Sequence, residues 1–273
     1  MIKNYKIKHN QESNQLLLML HAPIFSAKVW SRNDSKDAHY DVFRNKHERI
    51  IYKGYQLDVK YDFQLFAFLV SKVQQIRSNK FSFQEREMLN ALSIKANEKK
   101  VIDPLHARLE RFKRCSIEIH RMEFDDNGNQ YLIDSIDTTL LETLSWDTKT
   151  KEIKVTFSSK FGDVRSGNFD RLKVDIKRMD KIKGDYSNYA RCLFLYFLSR
   201  SFNIHYKADL LNRIAFNIKS NKHKNRVLKQ ALDLLEKEKF IKKWEPEKSS
   251  AQEIPQIKIF WNNSKDKEEK KDK

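Results

Sequence analysis

Glycine and proline are scarce in this chain, five Gly and four Pro in 273 residues. Architectures made of many short strands need a tight turn about every 8–12 residues, and those turns draw on Gly and Pro. The supply is missing here, so a sandwich or barrel is a poor fit. Helices with a few strands remain, and 40% hydrophobic with 12% aromatic residues give them material for real cores.

Hydrophobic spacing places those elements, and the same plan occurs twice. The first copy opens on a predicted strand pair, 48–52 and 55–59, split by Gly54. Asp62 then starts a helix with Phe63, Phe66, Ala67, Val70 and Val73 on one face. Ser82 and Glu85 have the spacing of a capping box for a second helix reaching about Ala91. A third helix is predicted over 101–113, with Leu105, Leu109 and Phe112 inward and Arg108 and Arg111 outward. Strands over 116–124 and 130–136 follow, joined by Asp126-Asn127-Gly128-Asn129, a hairpin turn signal. One more strand covers 153–157.

The second copy follows a basic connector, 165–183. It has helices over 186–202, 207–216 and 222–238, the last with Leu228, Ala231, Leu232 and Leu235 at i, i+3, i+4 and i+7. Segments 240–244 and 257–261 form its hairpin. The expected fold class is α+β, two tandem winged-helix domains of three helices plus a β-hairpin each. Domain 1 spans 21–157 and domain 2 spans 158–261. Residues 1–20 read as a flexible tail and 262–273, which lack any apolar residue to bury, as a disordered charged tail.

Charge narrows the function. The chain carries 54 Lys and Arg against 37 Asp and Glu, for a net +17. Residues 151–273 hold 30 basic against 17 acidic side chains, whereas 1–150 hold 24 against 20. A basic half beside a balanced half points to a polyanion on one face; a lysine-rich solvated surface would give the same bulk figures. Between Lys219 and Lys229 lie five Lys or Arg and no acid. The outward set Lys219, Lys222, Lys224, Asn225, Arg226, Lys229 and Gln230 therefore crowds positive charge at a helix N-terminus, where the dipole disfavours it. A major-groove reading helix needs that arrangement, because its N-terminal residues face base edges. An ordinary amphipathic helix with a cationic solvent face is the plainer alternative. In the first copy Arg108 and Arg111 are the matching candidates, diluted by nearby acids.

Enzyme signatures are few. No phosphate-binding G-x-x-x-x-G-K-[ST] loop exists, and the eight His form no metal pair. Asp125 and Asp126 suit turn chemistry. No catalytic residue, metal or cofactor is expected, which leaves a Tyr-dependent rolling-circle nickase well behind. Cys115 and Cys192 fit no metal spacing and suit a reducing compartment. No segment reads as a signal peptide or membrane span, so a cytoplasmic location without membrane association is expected.

Several stretches resemble the TrfA-type plasmid replication initiators: HAPIFSAK (21–28), IIYKGYQLDVKYDFQLFAFLV (50–70), LHARLERFKRCSIEI (105–119), YARCLFLYFLS (189–199) and RVLKQALDLLEKEKFI (226–241). They follow the family's order over most of 21–245. The most specific is the block Tyr52, Gly54, Leu57, Asp58, Asp62 and Phe66. The resemblance implies tandem winged-helix domains that bind repeated double-stranded origin sites (iterons) and help open AT-rich DNA. It also implies recruitment of the replicative helicase and its loader, and a homodimer in equilibrium with monomer. Members of the group can carry a sliding-clamp peptide ahead of the first domain; Gln15, Leu16, Leu18 and Met19 occupy that place, with Leu17 and Met19 departing from the usual form. The start of an element packed on the first domain accounts for the same leucines more simply. A winged-helix transcription regulator is the alternative for the whole chain.

Overall fold

The structure, a computed structural model, describes residues 5–7, 24–27, 37–45, 48–92, 99–159, 172–174, 179–198, 203–215, 218–248 and 255–262. It divides into two compact units, Met1–Lys177 and Arg178–Lys273. Each mixes helices with antiparallel sheet.

The first unit contains, in chain order, β1 (Tyr5–Ile7), β2 (Phe25–Ser26), β3 (Asp37–Asn45), β4 (Glu48–Tyr55), β5 (Leu57–Asp58), α1 (Asp62–Ile76), β6 (Lys80–Gln84), α2 (Glu85–Ala91), α3 (Lys99–Lys113), β7 (Ser116–Phe124), β8 (Gln130–Thr139), β9 (Leu141–Trp146), β10 (Glu152–Phe157) and β11 (Leu172–Val174). Helix α1 lies at its centre. Burial extends beyond the expected stripe to Leu65, Phe68 and Leu69, because a helix apolar all round must be enclosed. Phe25 meets Phe63 edge-on at 5.2 Å, and Phe68 meets Phe83 at 5.1 Å.

Two larger sheets belong to this unit. One has the order β6-β10-β9, with β6 entering between α1 and α2. That strand corrects the expected capping box. Ser82 lies in β6, where Phe81 and Phe83 alternate inward, and α2 starts at Glu85 behind Gln84. The other sheet has the order β3-β4-β7-β8. The expected break at Gly54 is absent: β4 runs through it and pairs with β3 and β7. Glycine is needed there for a different reason. Its φ is +130°, and a Cβ would stand 2.7 Å from the Arg114 carbonyl oxygen. Leu57 and Asp58 instead pair in parallel with Phe25 and Ser26.

The hairpin assignment also changes. Strands β7 and β8 form a hairpin, but they belong to the sheet of β3 and β4. The pair that joins β6 is β9–β10. Finally, β1 pairs with β11, so part of the expected N-terminal tail is a strand. The first unit extends past residue 157 to Lys177.

The second unit holds α4 (Ser187–Leu198), β12 (Ile204–Tyr206), α5 (Lys207–Ala215), α6 (Asn221–Lys237), β13 (Lys243–Lys248) and β14 (Pro255–Phe260). Its sheet order is β12-β14-β13. Helix, strand, helix, helix, strand, strand, with the last strand central in the sheet, is also the order of α1, β6, α2, α3, β9 and β10. The repetition is therefore real, with β7–β8 inserted into the first copy only. Helix α4 is buried from Ala190 to Phe197, and Phe194 meets Phe240 at 4.7 Å. Arg191 is buried too, donating to the Met179 and Ile182 carbonyls.

Among the described residues, no helix is long and apolar enough to cross a membrane, and no group of three His, Cys, Asp or Glu is placed to hold a metal.

Candidate nucleic-acid interface

Helix α6 is built on a continuous buried stripe. Val227, Leu228, Ala231, Leu232 and Leu235 are all buried; removing a large apolar side chain of this kind from water contributes roughly 1.5–3 kcal/mol. That stripe fixes the opposite face. Lys222, Asn225, Arg226, Lys229 and Gln230 are exposed, as is Lys219 just ahead of the helix, and Lys224 is half-buried. Ser220 caps the helix, its side chain accepting from the His223 backbone N–H at 3.4 Å. Spacing alone did not single out this cap, although a serine one residue before the helix is its ordinary signal.

The electrostatics of this face are one-sided. The first turn of α6 carries no acid. Lys229 reaches Asp233 at 3.8 Å, one turn on. Among the described residues, no carboxylate lies within ion-pair distance of Lys219, Lys222, Lys224 or Arg226. Their charges stand together at the positive end of the helix dipole, which costs stability and leaves them available to an anion. Helix α6 is also tied to the hairpin behind it. Trp244 on β13 donates its indole N–H to Asp233 Oδ1 at 3.1 Å. Lys243 and Lys258 on the hairpin pair with Glu245 and Glu247.

In the first unit the expected outward arginines are corrected. Arg108 and Arg111 point inward and are buried. One Arg108 nitrogen lies 2.5 Å from both Asp58 Oδ2 and Asp62 Oδ1. Arg111 reaches Asp62 Oδ2 at 3.1 Å and donates to the Gln56 carbonyl. Two guanidinium groups thus face two carboxylates in the interior, and the charges offset. Asp62 also accepts the Asp58 backbone N–H at 2.8 Å, and Asp58 accepts that of Tyr61 at 2.6 Å.

Burial raises the Asp62 pKa to about 6, with the neighbouring Asp58 adding to the rise and the two arginines opposing it. Burial alone would lower Arg108, but Asp62 and Asp58 carry it above its ordinary value. Beside this network Tyr52 Oη lies 2.8 Å from Cys115 Sγ, and burial pushes that thiol up to about 12. The spacing did hold a clue: Arg108 follows Leu105 by three residues and precedes Phe112 by four, which puts it within the inward stripe.

Other side chains of α3 are committed to packing. His106 stacks on Trp146 at 4.7 Å, with Nε2 3.1 Å from Glu85. The four residues of the expected clamp peptide, Gln15, Leu16, Leu18 and Met19, lie outside the described residues, as do 263–273.

No protein-family model and no curated protein matches the chain. Solved structures do, among them two of RctB. One is a crystal structure of domains 2 and 3 of RctB, at 14% identity and a TM-score of 0.52, covering 89% of this chain and 100% of that one. The other, RctB residues 155–483 containing the same domains, has 12% identity and a TM-score of 0.50, covering 89% and 96%. The chain shares the fold of two consecutive RctB domains. At such identity the likeness is one of fold.

Proposed function

We propose that the chain is a replication initiator that binds repeated double-stranded origin sites through two winged-helix units, with α6 as the principal reading helix. The observation that carries this reading is the α6 face: five cations from Lys219 to Lys229, of which, among the described residues, a carboxylate reaches Lys229 alone, on a helix whose opposite side is buried. Arg226, Asn225 and Gln230 have the donors that read guanine and adenine edges, while Lys219, Lys222, Lys224 and Lys229 hold phosphates. Arg108 and Arg111 have no part in it. The fold is shared with domains 2 and 3 of RctB, and the initiator role itself rests on the resemblance to the TrfA-type initiators.

The TrfA resemblance supplies the finer steps: iteron recognition, opening of AT-rich DNA, recruitment of helicase and loader, and a dimer in equilibrium with monomer. It also supplies clamp binding through Gln15, Leu16, Leu18 and Met19. The protein acts in the cytoplasm without a cofactor and catalyses no reaction itself. Footprinting on the DNA flanking the gene tests the reading. Regularly spaced repeats beside an AT-rich segment are expected, with affinity falling steeply as salt rises because phosphate contacts release counterions. A single protected palindrome points to transcriptional regulation, and salt-independent binding removes the phosphate contacts.

A further inference from the structure

Four positions of α6 that face away from its buried row form one stripe. Lys222, Arg226, Lys229 and Asp233 stand at i, i+4, i+7 and i+11, opposite Val227, Leu228, Ala231, Leu232 and Leu235. Lys237 continues the stripe one turn further and is exposed. The face that carries Arg226 is therefore cationic on both sides of a single break, at Asp233.

Helix stability does not account for that carboxylate. A pair with Lys ahead of the acid is the weaker order at i, i+4. An acid this near a helix C-terminus also gains nothing from the dipole. Yet Asp233 is held in place from the hairpin. Trp244 on β13 donates its indole N–H to Oδ1 at 3.1 Å, while Oδ2 stands 3.8 Å from the Lys229 ammonium. The Asp233 side chain keeps 43% of its surface exposed, so this fixed charge meets whatever approaches the stripe.

Resting on α6 as the DNA-binding face proposed above, we infer that Asp233 is a specificity-determining residue that confines DNA to the N-terminal half of the helix. Phosphate contacts dominate binding to DNA of any sequence. A stripe positive along its whole length would accept a backbone in several registers, with Lys229 and Lys237 as added phosphate contacts. The carboxylate between them makes those registers repulsive, and like charges brought together suppress wrong partners and fix register. The correct complex is held in one register by base contacts from Arg226, Asn225 and Gln230, so it loses less. Discrimination then comes from a repulsive group as well as from attractive ones.

Fluorescence anisotropy on the full chain tests it, with the mapped site and an unrelated duplex of equal length across a salt series. Asp233→Asn keeps an oxygen to accept from Trp244 and removes only the charge; circular dichroism checks the fold. Affinity for the unrelated duplex is expected to rise by about three- to tenfold, and its salt slope to steepen by about one unit. The gain on the mapped site is expected to be smaller. Adding Lys229→Ala to Asp233→Asn is expected to cancel the steeper slope. If Asp233 serves only to tie α6 to β13, Asp233→Asn leaves affinity and slope as in wild type, which overturns the inference. An equal gain on both duplexes overturns it too. Arg226→Ala separates the two readings. Where it relaxes base preference and Asp233→Asn changes nothing, the role of Asp233 alone fails; where it leaves preference intact, the α6 reading fails and Asp233 with it.

Discussion

Arg108 and Asp62 meet at 2.5 Å inside the first unit, joining the middle of α3 to the first residue of α1. Asp58 shares the same guanidinium nitrogen. Removing one partner of such a network strands a buried charge, which costs more than the intact pair contributes. Arg108→Ala is expected to lower stability by about 3–5 kcal/mol, read from urea unfolding. A loss below about 1 kcal/mol would fit a surface pair instead.

Asp62 gives the same network a pH signature. Its folded pKa is about 6 against an ordinary 3.8, so the folded chain holds that proton more tightly than the unfolded chain. Its contribution therefore favours folding at low pH and declines as pH rises from about 4 to about 6. Above that range it adds no further slope. Asp62→Asn removes the titration, and comparing its thermal midpoints with wild type across pH 3.5–7 isolates the term. Parallel curves would mean that Asp62 titrates alike in both states.

Gly54 provides a backbone test. Gly54→Ala drives a Cβ against the Arg114 carbonyl and the Cys115 Cα at a φ of +130°. A loss of about 1–3 kcal/mol is expected from strain of this kind. Urea unfolding of the variant measures it, and an unchanged midpoint would remove the close approach.

On α6, Arg226→Ala is expected to cost about 1–3 kcal/mol on the mapped site and to relax preference at one base position. Lys224→Ala should weaken all sequences alike and reduce the salt slope by about one unit. Leu232→Ala attacks the buried stripe and should lower stability by about 2–5 kcal/mol. Fluorescence anisotropy at fixed salt, with folding checked by circular dichroism, separates the three. Should Arg226→Ala keep full affinity and preference, α6 is not the reading helix.

The six helices of the repeated plan were legible because their apolar spacing is local, and the α6 stripe was found at all four of its named positions. The strands β6 and β12 were missed. Each is short, with two buried residues in β6 and one in β12, so helix signals on either side outweighed them. The insertion misled more deeply: Asp126-Asn127-Gly128-Asn129 marks a hairpin correctly, but no turn signal says which sheet a hairpin joins. Arg108 and Arg111 were read outward because they are charged. Their partners, Asp58 and Asp62, lie far away in sequence, and no local pattern reports a pairing across that distance.

That insertion also sets an order of assembly. Lys80 on β6 pairs with Thr156 on β10, so this sheet closes only after the whole β7–β8 hairpin has been accommodated between them. In the second unit β12 meets β14 across a shorter loop, Tyr206 against Gln256. Longer loops cost more closure entropy and slow the pairing they delay. The two copies of one plan should therefore refold at different speeds, the basic unit first and the unit carrying the acidic hairpin behind it.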